Sequence, residues 1–233
     1  GVTVDRREGI RQFQAHRFRI IDLPGTYSLF PYSPEEAVVV NALDDASRGL
    51  IVNVVDASTL ERNLILTLQL LEIGLKPIVA LNCIDLLHAQ GADLDILRLE
   101  KELGLKVFPT VARTGEGVDA LLSYLAQAHH QSDSSSALPE LWRDAVTQVL
   151  QERHQQKWSD ASPSTRLNCL KQLTDQRHSD AQLQTIQQHL ASTITTPTDH
   201  PTCPSLAGAL ASHRAHHLEA LAAACITSGH EGH

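Results

Sequence analysis

The chain has 233 residues, room for one large domain or two modest ones around a real core. Its 19 Lys and Arg against 27 Asp and Glu give a formal net charge of −8, drawn from 12 basic and 17 acidic residues over 1–130 and 7 and 10 over 131–233. An acidic chain without a Lys/Arg cluster excludes a broad nucleic-acid footprint, and 42% hydrophobic content excludes wholesale disorder. No apolar run reaches the roughly 18–20 residues that span a bilayer, and no signal-peptide pattern opens the sequence. Cys83, Cys169, Cys203 and Cys225 are scattered without a CxxC pair, as suits a reducing compartment. The chain has no methionine and opens Gly-Val-Thr-Val, which reads as an excised piece.

Residues 3–21 read as two antiparallel strands around Arg7–Ile10. Four short apolar runs follow one another: His16–Asp22, Gly49–Asp56, Lys76–Asn82 and Leu105–Val111. Their Val, Ile and Leu content predicts strands buried on both faces. Helical segments lie between them. Pro34–Ala46 follows Ser33 as N-cap, Leu60–Ile73 follows Ser58-Thr59 and stops at Gly74, Asp93–Leu103 stops at Gly104, and Val118–Ala128 follows the Gly115–Gly117 turn. This alternation predicts an α/β fold, a mostly parallel sheet wrapped by helices over residues 1–130.

Residues 131–137 (QSDSSSA) form a polar linker. Residues 138–233 then read as a small all-α domain, with helices at Leu138–Gln155, Pro163–Asp175, Ser179–Ser192 and Ser205–Ile226. The three prolines of Thr195–Pro204 predict a loop.

Three short motifs carry chemistry, each at the C-terminal end of a predicted strand, where open α/β sheets bind ligands. Asp22-Leu23-Pro24-Gly25 places a carboxylate where it can hold Mg²⁺ through water, with a glycine three residues on. The Gly25 N–H can approach a γ-phosphate because no Cβ intervenes. Asn82-Cys83-Ile84-Asp85 places an amide and a carboxylate beside a planar base. The Asp85 carboxylate accepts from two donors on the guanine edge, an arrangement that adenine lacks. Val111-Ala112-Arg113 offers a small residue whose backbone N–H approaches the base carbonyl, and a guanidinium to cover its face. Asp22 and Asn82 lie 60 positions apart, room for two helices and a strand. In Gly1-Val2-Thr3-Val4-Asp5, the Thr3 hydroxyl is a further Mg²⁺ ligand and its N–H a γ-phosphate donor, in a loop that orders with triphosphate bound. Taken singly, each motif is also an ordinary turn, strand or helix cap.

The stretches GVTVDRREG, DLPGTYSL, NVVDASTLERNLILTLQLLEIG and VALNCID resemble the cytoplasmic GTPase domain of the FeoB ferrous-iron transporters. The Asp56–Gly74 stretch is the most specific, and the likeness is strong over residues 1–130 and weak beyond. The resemblance implies a P-loop-GTPase-like fold that binds GTP or GDP with Mg²⁺ and hydrolyses GTP. Thr3 and Asp22 then belong to the Mg²⁺ and γ-phosphate site, and Asp22–Tyr27, including Gly25 and Thr26, form the second switch. Asn82 and Asp85 select guanine from the Asn82-Cys83-Ile84-Asp85 loop, with the Cys83 side chain pointing away from the base, and Val111–Arg113 line the base. The implied partner is a transmembrane iron-permeation domain of the same parent protein, with homo-oligomerisation a further implication. The implied location is the cytoplasmic face of the bacterial inner membrane.

Departures from the pattern accompany the resemblance. The sequence contains no G-x-x-x-x-G-K-[ST] loop. That loop is expected ahead of Gly1, in a βα step of about 30 residues that supplies the central strand. The chain alone is accordingly expected to bind nucleotide weakly or not at all, and to be impaired as a GTPase. Thr26 stands where many GTPases place a water-orienting Gln, which implies slow turnover, backbone-held water and help from a monovalent cation such as K⁺. Cys83 stands where the family commonly has Met, and reads as a space-filler rather than a nucleophile. Two rival readings are a soluble GTPase of ribosome or tRNA maturation and an interaction fragment that binds no nucleotide.

Nine of the 13 histidines lie after residue 130. His213, His216 and His217 share a predicted helix face that reads as solvated rather than metal-binding, and the terminal Gly229–His233 and the His129-His130 pair read as frayed or helix-ending residues. The leucines of Leu60–Leu71 read as core.

Overall fold

The computed structural model describes residues 7–30, 38–39, 42–43, 49–128, 137–138, 140–175, 180–193 and 205–228. Two strands open it, β1 (Arg7–Phe13) and β2 (His16–Asp22), paired antiparallel from Arg7↔Asp22 to Phe13↔His16. The hairpin turns at Gln14-Ala15, with Gln14 in the left-handed region (φ 52°), and not around Arg7–Ile10 as the sequence predicts. Arg7–Ile10 runs as extended strand within β1, and the reversal falls where Gln14 adopts the left-handed backbone.

A second correction concerns burial. The apolar end of β2 predicts a strand buried on both faces, yet Ile20 and Ile21 are 47% and 37% exposed. Among the described residues β2 pairs only with β1, and no second layer covers it. An apolar run becomes core only where another element is packed upon it.

The parallel sheet contains β3 (Val52–Asp56), β4 (Ile78–Asn82) and β6 (Val107–Pro109), in the order β3-β4-β6. The central strand β4 is buried along Ile78–Leu81, as predicted. In β3 only Asn53 and Val55 face inward, while Val52 and Val54 stay exposed, so the two-sided burial expected for this run holds on one face.

Helix α1 (Leu60–Glu72) covers that inner face, preceded by a 3₁₀ turn at Ala57–Thr59 that Asp56 caps by accepting from the Ser58 N–H (2.9 Å). Leu60, Leu64, Leu68 and Leu70 are buried, as the sequence pattern predicts. Each fully buried leucine contributes about 1.5–3 kcal/mol. Gly74 ends the segment at φ 81°, with N–H bonds from Gly74 to Leu71 O (3.0 Å) and from Leu75 to Leu70 O (2.9 Å).

Beyond β4 come α2 (Ile84–Ala89), β5 (Ala92–Leu94) and α3 (Ile96–Leu103). The helix expected from Asp93 starts three residues later, because Asp95 caps it by accepting from the Arg98 N–H (2.9 Å). Helix α4 (Val118–Gln127) rests Tyr124 against Phe108 of β6, ring centroids 5.1 Å apart.

The remaining helices are α5 (Glu140–Val149, continued by a π-helical turn at Leu150–His154), α6 (Pro163–Thr174), α7 (Ala181–Thr193) and α8 (Leu206–Cys225). Trp142, Val146, Leu150, Leu170, Leu173, Leu183 and Leu190 make a core of their own, which Leu206 and Leu210 complete. The other end of α8 leaves it: Leu218, Leu221 and Cys225 pack with Leu64, Leu68, Leu99 and Leu103. A short strand β7 (Ile226–Ser228) then pairs antiparallel with β5, where the sequence predicts helix to Ile226. Among the described residues no helix is long and apolar enough to cross a membrane. The predicted helix at Pro34–Ala46 is described only at 38–39 and 42–43, both helical, and Thr195–Pro204 lies outside the described residues.

Candidate functional site

The C-terminal edge of the parallel sheet gathers one half of the predicted constellation. Parallel pairing sets Asp56 and Asn82 side by side at the ends of β3 and β4. After Asn82 the chain reverses through Cys83 (φ 63°), whose carbonyl accepts from the N–H groups of Leu86 (3.0 Å) and Leu87 (3.3 Å) and so starts α2. Asp85 stands in the first turn of that helix, where backbone N–H groups favour a carboxylate. Ile84 packs against the core of the sheet.

The loop after β6 closes over this point. The Ala112 N–H donates to Asn82 Oδ1 at 2.9 Å, so the asparagine ties the two loops together. The Arg113 guanidinium lies 3.3 Å from Asp85 Oδ2. With Arg113 79% exposed this pair adds little stability, but it shows that the carboxylate and guanidinium reach one spot. The loop is held on itself: the Val111 N–H donates to Glu116 O (3.0 Å) and the Gly115 N–H to Val111 O (2.9 Å). Gly117 needs to be glycine, since its φ is 76° and a Cβ there would collide with the Pro109 carbonyl.

Cys83 sits within this ring of carboxylates. Burial, then Asp56 and Asp85, push its thiol above the ordinary value.

The residues expected at the phosphates lie on and after β2, which pairs with β1 and not with the parallel sheet. Asp22 is the last residue of β2 and exposed, Leu23 and Pro24 are half-buried, and a Cβ on Gly25 would meet open space. Among the described residues no hydrogen bond or ion pair joins Asp22 to Asp85 or Ala112. Thr26 turns back on its own segment: its hydroxyl donates to Ser28 O (2.8 Å) and accepts from the Ser28 N–H (3.2 Å). Tyr27 is exposed beneath the Arg62 guanidinium, 4.3 Å from its ring centre. Gly1, Val2, Thr3, Val4 and Asp5 lie outside the described residues.

Sequence reasoning passed over three buried polar residues that anchor these elements. Gln69 on α1 is 3% exposed and bonds the Ser28–Leu29 segment. Arg214 of α8 donates to both carboxylate oxygens of Glu72, at 2.8 and 2.5 Å. Arg166 of α6 donates to Ile73 O (2.8 Å) and twice to Trp158 O, and burial lowers its proton affinity. Only the polar letters Gln69 and Glu72 inside a leucine-rich helix could have flagged this from sequence. Among the described residues no cluster of three ligating side chains occurs. Burial, then the neighbouring His217, lowers the pKa of His213.

Residues 1–125 match the model of the family described as ferrous iron transport protein B. Among curated proteins, the chain is 47% identical over 130 residues to a Porphyromonas gingivalis protein named as an Fe(2+) transport protein A/Fe(2+) transporter FeoB fusion, covering 55% of this chain and 15% of that one. It is 45% identical over 125 residues to the Escherichia coli Fe(2+) transporter FeoB, covering 52% and 16%. The chain thus spans about 15% of the length of these relatives.

Among solved structures, the mGMPPNP-bound NFeoB of S. thermophilus superposes with a TM-score of 0.74 at 28% identity, covering 100% of this chain and 88% of that one. The cytosolic domain of L. pneumophila FeoB gives 0.71 at 27% identity, covering 97% and 87%. These matches extend through the helical part, where the sequence likeness is weak, and they share the parallel sheet of the P-loop GTPase fold. With its motifs, its sheet and more than half of its length matched to that family, the chain belongs to the ferrous iron transport protein B family.

Proposed function

We propose that this chain is the guanine-nucleotide-binding regulatory part of a ferrous-iron transporter, at the cytoplasmic face of a bacterial inner membrane. The observation that carries the reading is the Asn82–Ala112 hydrogen bond with Asp85 and Arg113 beside it, at the sheet edge where α/β folds take ligands. Asn82 holds the two loops at a fixed separation. Asp85 accepts from the guanine edge, Ala112 leaves space for the base carbonyl to reach backbone N–H groups, and Arg113 swings from Asp85 to the face of the base. Relatives solved with GDP or a GTP analogue bound support the same ligand class here.

The exposed carboxylate of Asp22, an oxygen donor at a strand end, suits Mg²⁺, and the Thr3 hydroxyl is proposed as its second protein ligand. Mg²⁺ bound there would neutralise charge on the β- and γ-phosphates, and K⁺ is proposed as an accessory ion. The Gly25 N–H meets the γ-phosphate. Water attacks the γ-phosphorus, its bond to the bridging oxygen breaks, and GDP and phosphate leave. Loss of the γ-phosphate frees the loops at Thr3 and Asp22–Tyr27. Residues 1–130 act as the GTPase domain, 131–137 as linker and 138–233 as the helical domain that passes the change to the membrane part of the same protein. Homo-oligomerisation belongs to the same proposal.

Calorimetry on the full-length protein tests the base assignment. Asp85→Asn should weaken GTP at least about 100-fold while xanthosine triphosphate keeps its affinity, since the lost pair is a charge-assisted double hydrogen bond worth about 3 kcal/mol. Equal losses for the two nucleotides would refute the assignment.

A further inference from the structure

Helix α1 buries a polar side chain where its pattern calls for another leucine. Gln69 lies between Leu68 and Leu70, both buried, and is itself 3% exposed. Burying an amide costs free energy unless every polar atom is bonded. Gln69 meets that demand on one short segment: its Oε1 accepts from the Leu29 N–H at 2.5 Å and from the Ser28 hydroxyl at 3.2 Å, and its Nε2 donates to Ser28 Oγ at 3.1 Å. Ser28 is bonded in turn through its backbone N–H and C=O to the Thr26 hydroxyl. Gln69 is therefore one hydrogen-bonded residue away from Thr26, which directly follows Asp22–Gly25.

The same segment has a second hold. The Phe30 N–H donates to Ser28 Oγ (3.1 Å), and the Phe30 ring lies 4.8 Å from the Arg214 guanidinium of α8. Arg214 is fixed by Glu72, three residues beyond Gln69 on the same helix. Residues 26–30 are thus pinned by α1 and α8 together, and α8 also belongs to the helical core.

We propose that Gln69 is a positioning residue for GTP hydrolysis, holding the loop that carries Gly25 and Thr26, with the Arg214–Glu72 pair setting that hold from the helical part of the chain. This rests on the GTPase reading above. The reason is geometric. Thr26 brings no side-chain amide to orient the attacking water, so the rate depends on where the backbone of this loop is placed, and small displacements of a reacting geometry are costly. The base edge at Asn82, Asp85 and Ala112 makes no hydrogen bond with Gln69, so affinity for GDP does not pass through it.

The test is steady-state GTP turnover and nucleotide affinity in the full-length protein carrying Gln69→Leu, a change of nearly constant volume. The expected result is a fall in kcat of about tenfold or more with KM and GDP affinity within twofold. Ser28→Ala, which keeps the Leu29 bond, should fall between this variant and the parent, and it decides by the same split if Gln69→Leu does not fold. An unchanged kcat in a folded variant, or a raised KM at constant kcat, overturns the proposal. The Asp85→Asn result stands apart from this one: loss of base discrimination without effect of Gln69→Leu sinks the positioning role alone. Lowered kcat in Gln69→Leu with no change of base preference in Asp85→Asn sinks only the base assignment.

Discussion

The Arg214–Glu72 pair is the most consequential contact between the α/β layer and the last helix. Both side chains are buried, at 10% and 5% exposure, and the contact is bidentate. Replacing Arg214 by Met keeps the length and apolar stem but removes the guanidinium from Glu72. Removing one partner of a buried pair costs about 3–5 kcal/mol, since the other charge stays desolvated. For a chain of this size the urea m-value is about 2–3 kcal/mol/M, so the midpoint should fall by about 1–2.5 M. The companion change Glu72→Leu removes the carboxylate as well. The double variant should return to within about 1 kcal/mol of the parent, because a buried pair and a packed apolar pair differ little in net free energy. Urea melts of the four proteins followed by circular dichroism close the cycle. A single Arg214→Met variant within about 0.5 kcal/mol of the parent would refute the reasoning, and so would strictly additive losses in the double variant.

Two further outcomes follow from local geometry. Gly117→Ala and Gly91→Ala place a Cβ at nearly equal φ, 76° and 75°, but only the former meets backbone. Gly91→Ala should cost about 1–2 kcal/mol for the left-handed backbone, and Gly117→Ala clearly more, with loss of the Ala112–Asn82 bond visible as faster amide exchange at Ala112. Equal costs would show that the Pro109 collision relaxes freely. Burial raises the Cys169 thiol from 9.0 to about 11. The folded state keeps this proton longer than the unfolded chain does, so the group's stabilisation is complete below about pH 9 and is lost as pH rises through 11. Cys169→Ala should flatten the alkaline fall of a stability–pH profile, and an unchanged slope would contradict the burial of this thiol.

What the sequence made legible was local. The strand ends at Asp56 and Asn82, the helix stop at Gly74 and the buried face of Leu60–Leu70 follow from periodicity and cap chemistry, which neighbours along the chain decide. The meeting of the Asn82–Asp85 and Val111–Arg113 loops was legible for the same reason, since parallel strands deliver their C-terminal ends to one edge. Tertiary partners were not legible. The Ile20-Ile21 run says strand, but whether a layer covers it depends on elements far away in sequence. The β5–β7 pairing joins Asp93 with Thr227, and nothing local at Ile226 separates a last helical turn from a short strand. Gln69 and Arg214 read as ordinary polar helix positions until packing shows what they hold.

The proposed guanine site is the edge formed by Asn82, Asp85 and Ala112. Solving the full-length protein with GDP bound tests this most directly. The expected result is a base whose ring N1–H and exocyclic amino group donate to the Asp85 carboxylate, with Ala112 and Arg113 lining its carbonyl and face. A base seated away from Asp85, with Arg113 still on that carboxylate, would contradict it.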